Sequence, residues 1–184
     1  MSALSGRLTA PPLQALLADA MLAGEWVLDQ HRSSIRLRSR VLGGVIRVNG
    51  VFRDVRGYGI ISPDGAVSGT VTVTTASIDT KNARRDAHLR SADFFGSENN
   101  PDITFTADGI RLSGQGVVVT GALAVRDRTK ALSFTAEASV RDASEICLDA
   151  EARVNRADFG LTWNLLGMVS MNSIITVHAV FSRQ

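Results

Sequence analysis

The side chains best suited to chemistry gather between residues 77 and 95. Ser77-Ile-Asp-Thr-Lys-Asn-Ala-Arg-Arg-Asp-Ala-His-Leu-Arg-Ser-Ala-Asp-Phe-Phe95 packs several charges, a histidine and two adjacent phenylalanines into one short connection. Two chemistries fit this composition. His88 with Asp86 supplies an acid/base pair for an isomerase or hydrolase acting on an apolar substrate. Alternatively, Arg85, Asp86 and His88 form a polar gate with an aromatic lining at a pocket mouth. In that gate His88 donates to a head-group oxygen while Asp86 fixes its tautomer. A plain structural account competes with both. Asp79 and Asp86 would cap backbone or pair with Arg84, Arg85 or Arg90, while Leu89, Phe94 and Phe95 plug one end of a barrel.

Elsewhere the sequence excludes more than it offers. Its three histidines, His31, His88 and His178, lie far apart, and none has a second His or Cys at ligand spacing. The single cysteine, Cys147, rules out an internal disulfide and a CxxC knuckle. Within Glu145-Ile-Cys-Leu-Asp149 it reads as a small space-filler on a strand face. GxSxG, HExxH and a phosphate-binding glycine loop are all missing from the sequence. Gly114-Gln-Gly116 reads as a hairpin turn, since no helix follows it. The net charge of +2 over 184 residues, with no Lys/Arg block, argues against nucleic acid. Neither a metal nor a cofactor is expected.

The elements that must hold these residues follow from periodicity. Leu13, Leu16, Leu17, Ala20 and Met21 share one helical face. With Pro11 or Pro12 in the first turn and Gly24 as the stop, residues 11–23 are predicted to form an amphipathic helix that packs on the domain. Residues 1–10 are expected to be mobile. Asp19 interrupts the apolar run and Arg7 is the only positive charge before it, which argues against a secretory leader. No stretch is apolar enough for a spanning helix.

After Gly24 the period changes to two. Ile35, Leu37 and Val41 alternate with Arg36, Arg38 and Arg40, and Val67 to Val73 alternates with Ser and Thr. Strands are predicted at Ser34–Val41, Val45–Arg53, Gly57–Ile61, Val67–Val73, Asp102–Ala107, Gly109–Ser113, Val117–Val125, Ala131–Val140, Glu145–Val154 and Ser173–Ser182. Ala83 to Arg90 is predicted as a short helix. Many strands joined by short turns imply an antiparallel sandwich or a closed barrel.

Several segments, in order, resemble the YceI-like family of lipocalin-like, polyisoprenoid-binding barrels. They are Trp26-Val-Leu-Asp29, Val48-Asn-Gly-Val-Phe52, Ser77-Ile-Asp-Thr80, Arg85-Asp-Ala-His-Leu89, Asp93-Phe-Phe95, Pro101-Asp-Ile-Thr-Phe105, Gly121-Ala-Leu123 and Arg156-Ala-Asp-Phe-Gly160. The resemblance covers roughly residues 25–183. It implies an all-β fold, an extended antiparallel lipocalin-like β-barrel with a short helix over one end, the barrel domain running from 24 to 184. It also implies a long apolar tunnel that holds an isoprenoid chain or isoprenoid quinone. The sequence departs from the family pattern at four places. Arg32 and Val41 stand where histidines are usual. Arg126-Asp-Arg128 stands where a glycine turn is preferred, and Ser170-Met-Asn-Ser173 lacks acids found in relatives.

The resulting expectation is a carrier, storage or sequestration protein, not an enzyme, that encloses an elongated apolar ligand. The candidate lining is Phe52, Phe94, Phe95, Ile103, Phe105 and Leu123, together with Phe134, Phe159 and Trp163. Arg85, Asp86 and His88 are the candidates for the polar mouth. A filled barrel that works through its surface is the remaining alternative, with Arg36, Arg38 and Arg40 meeting a partner or an anionic membrane. The retained N-terminal helix points to a cytoplasmic branch of the family. Transient membrane contact and a homodimer are further expectations, the latter by family analogy.

Overall fold

A computed structural model describes residues 20–41, 45–113, 116–163 and 169–184. The expected mobile segment 1–10 and residues 11–19 of the expected helix lie outside the described residues, as do Gly43, Gly44 and Gly114 of the expected turns. Ala20 to Leu22 form a turn, closed by the Ala23 N–H donating to the Ala20 carbonyl.

The strands are β1 (Gly24–Leu28), β2 (Ser34–Val41), β3 (Ile46–Phe52), β4 (Val55–Ile61), β5 (Val67–Thr74), β6 (Ile78–Asp79), β7 (Asp102–Ser113), β8 (Gly116–Val125), β9 (Arg128–Asp142), β10 (Glu145–Asn155) and β11 (Val169–Arg183). Among the described residues one α-helix, α1 (Ala83–Arg90), interrupts them. All pairings are antiparallel. The order β1-β4-β5-β7-β8-β9-β10-β11 closes on itself, because β1 pairs with both β4 and β11. This is a closed eight-stranded barrel, the arrangement that leaves no free edge in the ring. β11 is long enough to pair at its far end with β2 as well, and β2, β3 and β6 extend the wall from there.

Alternation sorts the side chains. In β8, Val117, Val119, Gly121, Leu123 and Val125 are buried and their neighbours half-buried. Ile35 and Leu37 of β2 face the interior, while Arg36 and Arg40 are exposed outside. The two strands expected at 102–107 and 109–113 are one strand, β7, with a bulge between Ala107 and Gly109. Gly121 lies opposite this bulge. A Cβ there would come within 2.2 Å of the Thr106 carbonyl oxygen and 2.8 Å of the Phe105 ring, so only glycine lets Phe105 turn inward.

The two-residue hairpin between β8 and β9 places Arg126 at φ 56°. It lies in the Arg126-Asp-Arg128 turn where the family pattern favours glycine, and its left-handed backbone gives that preference a physical reason.

Candidate functional site

The barrel is hollow. Its interior holds a cavity of about 270 Å3 whose wall is almost entirely aliphatic and aromatic. That is near the lower end for small-molecule sites. A barrel filled by its own side chains, one of the alternatives raised by the sequence, is not what the chain forms.

Eight of the expected lining residues meet around this space: Phe52, Phe94, Phe95, Ile103, Phe105, Leu123, Phe134 and Phe159. They come from β3, the segment after α1, β7, β8, β9 and the 3-10 turn Arg156–Phe159. Phe105 and Phe134 stack in a tilted pair on one wall, with ring centres 5.4 Å apart. Phe94 meets Phe95 edge-on at 4.8 Å, and Phe95 reaches Phe52 at 6.1 Å. This aromatic group closes the end of the barrel nearest α1.

Trp163 is placed differently. It is 38% exposed, does not border the cavity, and lies against the His88 ring at 4.3 Å. Arg85, Asp86 and His88 do not border the cavity either. Asn82 caps α1 by accepting the Arg85 N–H, and the first turn of the helix then grips Thr80. Asp86, buried, accepts from the Thr80 N–H at 3.0 Å and from the Thr80 hydroxyl. Arg85 donates to the Thr80 hydroxyl and carbonyl, both at 2.8 Å. These bonds use the two charges to hold the helix on the β6 segment. The Asp86 carboxylate turns to Thr80. His88 Nε2 is buried with no hydrogen-bond partner among the described residues.

Among the described residues, the charge that reaches the cavity is Arg156, 4% exposed. It sits just after β10, and its guanidinium donates to the carbonyls of Ser170 (3.0 Å), Trp163 (2.9 Å) and Val169 (3.4 Å). Its Cζ lies 5.8 Å from the centre of the Phe94 ring, a cation–π contact. Burial pushes its pKa down, but arginine stays protonated in proteins. Ser173, also buried, borders the same space. In the sequence Arg156 stands out only as the first residue of Arg156-Ala-Asp-Phe-Gly160, directly after the stretch that becomes β10.

A model of the YceI-like domain matches residues 26–181. The chain belongs to this family. Among curated relatives of this YceI-like domain is a UPF0312 protein of Serratia proteamaculans, 28% identical over 158 residues, 82% of each chain. Among solved structures, Burkholderia cenocepacia BcnA superposes with a TM-score of 0.76 at 19% identity, covering 83% of this chain and 98% of that one. A polyisoprenoid binding domain from Saccharophagus degradans, implicated in plant cell wall breakdown, gives 0.70 at 15% identity, covering 86% and 98%. At these identities the two structures establish the fold of the YceI-like domain. No helix among the described residues is long and apolar enough to cross a membrane.

Cys147 lies on the outside of this barrel. Burial, then the neighbouring Asp149 carboxylate, push its thiol pKa up. That is the opposite of an activated nucleophile.

Proposed function

We propose that the barrel binds an elongated apolar molecule, an isoprenoid chain or isoprenoid quinone, and carries, stores or sequesters it without reacting on it. The observation that supports this most is the hollow interior, almost entirely apolar, with the buried Arg156 guanidinium bordering one end. A prenyl tail has almost nothing to hydrogen-bond, so its affinity must come from burial. At about 0.8 kcal/mol per CH2, each five-carbon unit contributes about 3–4 kcal/mol before association and ordering costs. The printed description of the Saccharophagus relative as a polyisoprenoid binding domain points to the same class of ligand. Arg156, whose three carbonyl bonds among the described residues use three of its five N–H donors, is the group that would meet a head-group oxygen.

A catalytic reading needs acid/base groups converging on the cavity. Asp86 instead serves Thr80, and the His88–Asp86 pair does not border the space a substrate would fill.

The test is organic extraction and native mass spectrometry of freshly purified, untreated protein. The expected result is a prenyl lipid or quinone at up to one per chain, released by denaturation. A Leu123→Trp variant, which fills the cavity, should retain the fold by circular dichroism and lose the ligand. Protein with no extractable lipid that also takes up none from added prenol or quinone would overturn the proposal.

A further inference from the structure

Outside the cavity, a second group of chemistry-bearing side chains converges on the outer wall formed by β10 and β11. Cys147 and Asp149 are two apart on β10, so they share a face, and His178 of β11 lies directly across from Asp149. The intervening Ile146, Leu148 and Ala150 point into the cavity, as do Val177 and Ala179. The outward trio therefore stands on the back of the ligand-binding wall. His178 Nδ1 is 2.7 Å from Asp149 Oδ1, and Cys147 Sγ is 3.9 Å from the same nitrogen and 3.7 Å from Asp149 Oδ2. One ligand atom from each residue lies within 4.8 Å of the others.

This is not a nucleophile triad. In such a triad the acid and the nucleophile use different ring nitrogens, whereas here both approach Nδ1 and neither borders the barrel cavity. We propose that Cys147, Asp149 and His178 bind one divalent ion of the zinc class on the outer surface of the barrel.

Three observations carry the assignment. The donors are a soft sulfur, an imidazole and a carboxylate, the set that zinc accepts and that calcium and magnesium do not. The geometry is nearly made. Tetrahedral zinc with bonds of about 2.0–2.3 Å sets its ligand atoms roughly 3.3–3.6 Å apart. The sulfur contacts need only small changes, and the imidazole and carboxylate must open by about half an ångström to give up their hydrogen bond. Finally, Glu137 of β9 lies directly across from Asp149 on its other side, exposed on the same outer face. Two carboxylates placed opposite one another repel, and a bound cation relieves this. Water or Glu137 would complete the fourth position. Binding converts the thiol to a zinc thiolate and releases its proton to solvent.

The test uses the full chain stripped with a chelator, titrated with zinc against a chromophoric chelator, and with cobalt(II) as a spectroscopic probe. One ion per chain is expected, with a thiolate-to-cobalt charge-transfer band. Cys147→Ser should abolish the band, and Cys147→Ser and His178→Gln should each weaken zinc binding about 100-fold. His31→Gln should leave it unchanged. If Cys147→Ser does not fold, His178→Gln decides alone. Wild-type protein that takes up no zinc, cobalt spectra without the thiolate band, or affinity undiminished in the variants would each overturn the site.

Discussion

The two ends of the barrel are closed by different means. At the end where the described chain begins and finishes, Leu22, Trp26, Ile61 and Ile146 form an apolar cluster. The one polar atom of Trp26 is satisfied locally, its indole N–H donating to the Leu22 carbonyl at 2.9 Å. At the opposite end, Phe52, Phe94, Phe95, Phe159 and Leu161 close the space beside a buried cation, Arg156, whose bonds run to the carbonyls of Trp163, Val169 and Ser170. The first closure depends on packing, whose cost of removal is set by the void left behind. The second couples packing to a charge that must stay hydrogen-bonded. The first end therefore reads as a stopper, and under the proposed function the second is the end that would distinguish one ligand head from another.

Three substitutions probe that contrast. Trp26→Ala should give the largest loss, about 3–5 kcal/mol of stability, seen as a fall of roughly 10 °C in Tm. Its effect on which ligand binds should be small; a changed ligand preference would erase the distinction. Arg156→Met keeps the volume but removes the guanidinium donor from the carbonyls of Trp163, Val169 and Ser170, at a cost of about 2–4 kcal/mol by denaturant titration. A neutral prenol should still bind, while a ligand with a charged or quinone head should weaken about 10-fold or more. Equal weakening of both would return Arg156 to a purely structural role. Arg126→Gly should change stability least. Relief of the left-handed backbone, about 1 kcal/mol, is offset by losing the bond from its guanidinium to the Phe94 carbonyl at 3.2 Å. A net change within about 1 kcal/mol is expected in thermal melts. A larger loss would show that this bond anchors the aromatic end.

Much of the architecture was legible because period-two alternation is local. β2 and α1 fall where the pattern puts them, and Phe52 of β3, Phe105 of β7, Leu123 of β8 and Phe134 of β9 point inward because a strand has only two faces. β6 was missed because two residues carry no period. β7 was split because Asp108-Gly109 has the composition of a turn, and only its partner β8 shows that the chain continues through a bulge. The site was half legible. Composition marks Arg85, Asp86 and His88 as reactive, but it cannot show that Thr80, a few residues away, takes up two of them. Arg156 becomes notable only when the fold carries it into an apolar interior. Cys147 and His178 meet through strand register, which spacing along the chain does not encode.

The seam of the ring joins Trp26, Val27 and Leu28 to Phe181, Ser182 and Arg183. The final residue continues it, as the Gln184 N–H donates to the Glu25 carbonyl. Neighbours so distant along the polymer make folding slow. During synthesis the first and last staves cannot meet until β11 has left the ribosome. Until then a growing trough of greasy surface stays uncovered, so the nascent domain should be at its most aggregation-prone just before β11 emerges.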